Sequence, residues 1–376
     1  MATKRASKVG DVKGMPSAEK LIALQSKVEK TVWETSCNDK DTLLNFEVDI
    51  TKTSSSQQRF EDEFRDICRM NGVTRCPFLS TSVDSCGKVK VRLLNTTIDI
   101  FNWQSMILAA VSTNASAFYF NSLQLIPKHI SDFGIGILRL DCVLELTFDY
   151  IQLDDPNVLS SAVYSNAKFI SLRGNKLNDD FAKTASTLLA TNVYVQAINL
   201  SENLITDQGA NYLLDCLRLN PSLNFFALRR NQCSGSCLSS FFSLQIGSLF
   251  PSTETPSLKS ITGLVNARNK KMKDQAKKAK EASFEEIPSL DSRVFSSGGI
   301  NYIANRSLRR FDLSWNPLQE DAIIAAIKQA ALLPTLSISA DMMSTTVTIK
   351  GIEASNGGKA LEKMAQKLGL GFSLEL

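Results

Sequence analysis

The sequence predicts an α/β repeat fold, a curved horseshoe with short parallel strands on its concave face and helices on its convex face. Three observations carry this. Asn175, Asn203 and Asn231 recur every 28 residues, the apolar pattern around each is the same, and one helical stripe recurs between them. A unit of strand, asparagine turn and amphipathic helix cannot bury its apolar face alone, so neighbouring units must stack.

The pattern L-x-x-L-x-L-x-x-N-x-L, with small or aromatic apolar residues accepted at the leucine sites, is that of a leucine-rich repeat. It can be read at Ala167, Ile170, Leu172, Asn175, Leu177 and at Val195, Ile198, Leu200, Asn203, Ile205. It returns at Leu223, Phe226, Leu228, Asn231, Cys233 and at Leu308, Phe311, Leu313, Asn316, Leu318. The helical stripe is Phe181, Ala185, Leu188, Leu189, then Ala210, Leu213, Leu214, Leu217, then Ala322, Ile323, Ala326, Ile327. Asn175, Asn203, Asn231 and Asn316 are read as structural: an amide carries donors and an acceptor, and successive amides can form a ladder.

In chain order, residues 1–20 are polar and basic and are expected to be disordered. Residues 21–88 predict a helical extension or cap, with Leu21, Leu24, Val28, Val32 and later Phe60, Phe64, Ile67, Cys68 at helical spacing. The array is expected over 89–250. Its early members are irregular: VKVRLLNTTID and AFYFNSLQLI read as strands and turns, with Trp103, Met106, Ile107 and Ala110 on the helix between. In CVLELTFDYIQL, Leu146 and Asp149 take the places of a leucine and the asparagine. Residues 251–306 are an insertion that opens loop-like at PSTETPSLKS and continues as a lysine run. A last repeat follows over 307–335. Residues 336–376 predict a C-terminal cap, with strands at LSISA and TVTIK and a helix through Leu361, Met364, Ala365 and Leu368.

The bulk composition fits one extended, soluble, intracellular protein. The 376 residues are 43% hydrophobic, enough for a large core, with no apolar run of membrane-spanning length and no apolar stretch of a signal peptide at the start. A net charge of +4 is too mild to identify a nucleic-acid binder. The eight cysteines show no C-x-x-C pairing and are expected to be reduced, with Cys142, Cys216 and Cys233 at core positions. Cys233 and Cys237 share one turn, but a zinc site needs further ligands and His129 is the one histidine, so no metal is expected. No nucleophile motif, phosphate loop or catalytic constellation accompanies His129, so no enzyme activity, cofactor or small-molecule substrate is expected. Asp154, Asp155, Asp179 and Asp180 sit at turn-to-helix junctions, where carboxylates cap amides.

Function is expected on the strand face. Side chains alternate along a strand, which points Ser171, Arg173, Asn199, Ser201, Ala227, Arg229, Arg310, Asp312 and Ser314 outward. Glu202, Arg230 and Trp315 come next along the chain. Arginine and tryptophan dominate interface energetics, which selects Arg173, Glu202, Arg229, Arg230, Arg310, Asp312 and Trp315 as a partner-binding surface. A second candidate is the basic insertion, with Arg268, Lys270, Lys271, Lys273, Lys277, Lys278 and Lys280 as a handle for an acidic partner. No aromatics interleave the run, so base stacking is not supported and a nucleic-acid partner is not expected.

At LRGNKLND, INLSENLITDQGANYL and FDLSWNPL the chain resembles the ribonuclease-inhibitor-like class of leucine-rich repeats. Three successive repeats, a lysine-rich insertion and a last repeat, together with DICRMNGVTRCPFL, resemble the ciliary family typified by leucine-rich repeat-containing protein 71. That resemblance implies a non-enzymatic structural role in the axoneme of a cilium or flagellum, with axonemal or tubulin-associated proteins bearing acidic surfaces as partners. The alternative is a regulatory protein like the Ran GTPase-activating proteins, which use similar repeats. Those carry an acidic tract after the repeats, where this chain has a basic run before its last one.

Overall fold

The computed structural model describes residues 56–140, 143–163, 165–250, 255–279, 286–287, 294–297, 300–305, 307–330, 332, 345–349 and 372–375. The expectations for the segments 1–55, for Cys142, for LSISA and for the terminal helix lie outside the described residues. The chain divides into two units, one ending at Val143 and one beginning at Leu144.

In the first unit, α1 (Ser56–Met70) buries Phe60, Phe64, Ile67 and Cys68, the face that helical spacing selects. A hairpin pairs β1 (Leu79–Val83) antiparallel with β2 (Val89–Leu94), and β2 pairs in parallel with β3 (Ala117–Asn121). The crossover is α2 (Ile100–Ser112), capped by the Asp99 carboxylate, which accepts from the Phe101 and Asn102 backbone N–H groups. With α3 (Pro127–Ile137) these elements close over Trp103, Phe118, Phe120 and Phe133, whose rings pack 4.8–6.1 Å apart.

The second unit repeats strand, turn and helix. Its strands β4 (Val143–Asp149), β5 (Ala167–Ser171), β6 (Ala197–Asn199) and β7 (Phe225–Ala227) alternate with the short α4 (Ser160–Val163), α5 (Asp179–Thr191), α6 (Asp207–Leu217) and α7 (Leu238–Ile246). The next strand beside β7 is β11 (Arg310–Asp312), followed in sequence by α9 (Glu320–Ala330), and then β12 (Thr345–Thr348) and β13 (Phe372–Glu375) extend the sheet. Within this sheet, the order β5-β6-β7-β11-β12-β13 is parallel throughout, and Ile170, Ile198, Phe226, Phe311 and Val347 fall in one buried row. Phe226 and Phe311 stack at 5.3 Å, so the array steps from β7 to β11 as though nothing lay between them. The fold is α/β with a mostly parallel sheet.

The described residues of the intervening segment form a helix and three short strands. These are β8 (Ser248–Leu249), α8 (Thr255–Ala279), β9 (Val294–Ser297) and β10 (Ile300–Ile303), with the three strands antiparallel in the order β8-β10-β9. The loop expected at PSTETPSLKS is thus corrected from Thr255 onward: Pro256 falls in the first helical turn, where a missing N–H costs nothing. Leu258, Ile261 and Val265 pack with Val193, Phe250 and Ile287, against Tyr194 and Leu219 at the ends of α5 and α6.

Two asparagine ladders run through the second unit. At the strand exits, the Asn203 Oδ1 accepts from Asn175 N (2.9 Å) and Leu177 N (3.0 Å), while its Nδ2 donates to the Leu172, Leu200 and Ser201 carbonyls. Asn175, Asn231 and Asn316 extend the same chain of bonds, and the last step crosses 85 residues of sequence, from Asn231 to Asn316. At the strand entries, Asn192, Asn220 and Asn305 form the second ladder. The Asn220 Oδ1 accepts from Ser222 N and Leu223 N, and its Nδ2 donates to Leu189 O (2.6 Å) and Asn192 O (3.0 Å) in the preceding repeat. Asn192 and Asn305 repeat both halves of that arrangement. Unpaired buried backbone groups cost roughly 1–3 kcal/mol each, which is why one residue type returns at these positions.

The turn itself repeats further than the sequence does. Asn95, Ser122, Tyr150, Glu202, Arg230 and Trp315 all hold positive φ at the same place after their strands, and Gly174 holds it in the remaining repeat. This corrects the reading of Asp149. The Asn175 Oδ1 accepts from Ile151 N, so Ile151 occupies the asparagine position and Asp149 lies two residues before it.

Candidate functional site

The left-handed residues and their neighbours form a row of side chains along the strand exits of the second unit, adjacent strands being about 4.8 Å apart. Left-handed backbone is costly for residues with a Cβ and is held here by the interior ladder, so the row is fixed from beneath. Glu202 is its hub. Its Oε1 accepts from the Arg173 Nη2 at 2.6 Å and the Arg230 Nη1 at 2.9 Å, and its Oε2 accepts from the Tyr150 hydroxyl at 2.5 Å. The Arg173 and Tyr150 hydrogen bonds hold the Glu202 carboxyl at about 2, well below its ordinary range. Tyr150 lies across Gly174, where an added Cβ would overlap the ring.

Each expected arginine of the row meets an aromatic ring or Glu202. The Arg173 guanidinium stands 5.5 Å from the Tyr150 ring, Arg229 stands 6.0 Å from Trp315, and Arg310 stands 5.8 Å from Phe225. Trp315 is 50% exposed, and Arg229 and Arg310 are exposed with no ion pair among the described residues. The first unit repeats the arrangement on its own strand face, with Arg92 at 5.1 Å from Tyr119.

Some expected outward positions turn inward. Ser201, Ala227 and Ser314 are buried, because the strand twists into the turn and the next repeat covers them. Asp312 is half-buried, and its carboxylate accepts from Ser314 N at 2.9 Å, which spends one oxygen on its own turn. Asp149 accepts from the Ser171 hydroxyl and Arg173 N; burial outweighs these bonds and pushes its carboxyl up.

The basic insertion divides. Lys270, Lys271, Lys273 and Lys277 are exposed on α8, whereas Arg268 is only 3% exposed and leaves the handle. It shares the inner stripe of α8 with Leu258, Ile261, Val265 and Ala276, which is the face that helical spacing turns toward the core. The Lys278 side chain and Lys280 lie outside the described residues.

One cluster among the described residues has the composition of a metal site: Asp207, Cys233 and Cys237, with ligand atoms within 4.8 Å of one another. The Asp207 carboxylate already accepts from the Ser234 N–H and hydroxyl (both 2.6 Å), Cys237 N (2.9 Å) and Gly235 N (3.2 Å). Burial pushes the Asp207 carboxyl up, but these hydrogen bonds together outweigh it and the net shift is down. One repeat earlier, Asp179 accepts from Thr206 N, Thr206 Oγ1 and Gly209 N in the same way, with Ile205 and Gly209 standing where Cys233 and Cys237 stand. The cluster is the repeat-to-repeat joint with buried thiols in it. The hydrogen bond to Cys233, followed by burial, raises the Cys237 thiol far above its ordinary range.

His129 is buried beside Trp103. Its Nδ1 accepts from Ile126 N, its Nε2 lies 3.1 Å from Ile98 O, and its carbonyl receives the Trp103 indole N–H at 2.7 Å. Burial lowers the imidazole below its ordinary value. Both ring nitrogens hold backbone, which fits a packing role in the first unit.

Sequence reasoning missed Tyr150, which reaches Glu202 across 52 residues, and the whole entry ladder. The second of these had a signal: Asn192, Asn220 and Asn305 each stand three residues before the first apolar position of a repeat.

The fold is α/β with a mostly parallel sheet, and this row gives it a basic, aromatic surface along its strand exits. No family model matches the chain, and no curated protein matches it. A solved structure of the leiomodin-1 actin-binding site 2 is similar at 15% identity over 50% of this chain and 99% of that one, with a TM-score of 0.23. Likeness at that score carries no argument about fold or function. No helix among the described residues is long and apolar enough to cross a membrane.

Proposed function

We propose that the chain is a leucine-rich-repeat solenoid acting as a non-enzymatic protein-interaction scaffold, set in the axoneme of a cilium or flagellum. The observation that carries the scaffold is the row Tyr150, Arg173, Arg230, Arg229 and Trp315, held on ladder-fixed turns, with Arg229 and Arg310 in no ion pair among the described residues. Preorganised arginine and aromatic side chains lose little entropy on contact, which is how a few residues come to dominate an interface. The axonemal setting rests on the sequence resemblance alone.

Proximity labelling in a ciliated cell tests both parts. The expected result is labelling of axonemal proteins that falls sharply for Arg229→Ala/Trp315→Ala, a pair of losses worth about thirtyfold in affinity. Diffuse cytosolic labelling without a cilium signal removes the axonemal setting. Unchanged labelling by the double variant removes the strand-exit row as the binding surface.

A further inference from the structure

We infer that α8 is a second binding surface, one that takes a carboxylate-rich segment of a partner protein. The inner stripe of α8 packs Leu258, Ile261 and Val265 into the core with Val193, Phe250 and Ile287, Asn269 exchanges two hydrogen bonds with the Ile287 backbone, and Arg268 and Ala276 continue the buried side toward the C-terminal end. Its outer face carries Lys270, Lys273 and Lys277 at helical spacing, with Lys271 beside them, all exposed and without an ion pair among the described residues.

The chemistry of that face selects its occupant. Lys270 to Lys277 rises about 10 Å along the helix. Alternate side chains of an extended chain recur about every 6.7 Å, so two or three carboxylates of one acidic segment fall within reach of the flexible lysine stems. Base reading needs arginine forks or stacking rings, but the helix has no aromatic residue and its one arginine is buried. Membrane insertion needs a free apolar face, and that face is already packed. Point charges without forks or rings remain, and clustered carboxylates are their complement.

This surface does not share residues with the strand-exit row, so either can fail alone. The test is fluorescence anisotropy of a labelled poly-glutamate peptide with the full chain, alongside oligothymidylate and vesicles rich in phosphatidylserine. The expected result is salt-sensitive poly-glutamate binding, tighter than to either other probe. It falls about tenfold in Lys270→Gln/Lys271→Gln/Lys273→Gln/Lys277→Gln and survives in the matching lysine-to-arginine variant. Arg229→Ala/Trp315→Ala leaves it unchanged. Poly-glutamate binding unaffected by the glutamine variant overturns the inference, as does tighter binding of oligothymidylate or of the vesicles. Circular dichroism of both quadruple variants confirms that exposed lysines were changed without loss of fold.

Discussion

The two asparagine ladders use one side chain in two ways. An exit-ladder residue such as Asn203 spends three of its five bonds on the preceding repeat, while an entry-ladder residue such as Asn220 divides four main bonds equally between its own turn and the preceding repeat. The exit ladder is therefore chiefly a coupling between units. The entry ladder is as much a local cap. Above both lies the Glu202 cluster, which also bridges repeats but does so at the surface, where solvent screens it.

The largest expected effect tests that difference directly. Asn203→Ala strands Asn175 N, Leu177 N and Leu172 O, while Leu200 O and Ser201 O keep the Asn231 amide and Gly174 N, and it is expected to cost about 4 kcal/mol, with Asn220→Ala costing about 3 kcal/mol. Chemical denaturation of each variant measures both, and a larger loss in Asn220→Ala would reverse the ranking of the two ladders. Gly174→Ala comes next at about 2 kcal/mol, because its φ of +71° disfavours a side chain and the new Cβ displaces Tyr150. Equal stability of Gly174→Ala and the parent would mean that the turn is not fixed from beneath.

A pH scan contrasts the first unit, which holds its turns through His129 instead of ladder asparagines. The folded value of His129 lies below its ordinary value of 6.5, so the folded state binds fewer protons than the unfolded chain. Its stabilising contribution is full above 6.5 and is lost as pH falls from there toward the lower folded value. Stability measured across that window is expected to drop, and His129→Gln is expected to flatten the drop.

The smallest effect belongs to the surface. Glu202→Gln is expected to cost under about 1 kcal/mol and to lose that cost in high salt. The contribution of Glu202 is present above its ordinary value of 4.5 and is lost as pH falls through about 2, so it sets no stability change near neutrality. A loss in Glu202→Gln as large as that of Asn203→Ala would erase the distinction between interior and surface bridging.

Legibility in the sequence followed the kind of interaction. The exit ladder was readable because its asparagines keep a fixed place in an apolar pattern. The entry ladder keeps an equally regular place, three residues before Val195, Leu223 and Leu308, but the flanking residues differ in polarity and mask it. Asp149 was misplaced because a carboxylate and an amide look interchangeable in a turn until the register shows which one faces the ladder. Arg268 looked like its lysine neighbours, and only the packing of α8 turned it inward.

The sequence by itself determined the repeating unit, since the period of apolar residues dictates which side chains each strand and helix must bury. The tertiary structure alone decided which charged groups meet. Tyr150, Arg173, Glu202 and Arg230 come from four separate turns, and β7 finds β11 across the insertion, because stacking brings together positions whose separation along the chain carries no local signal.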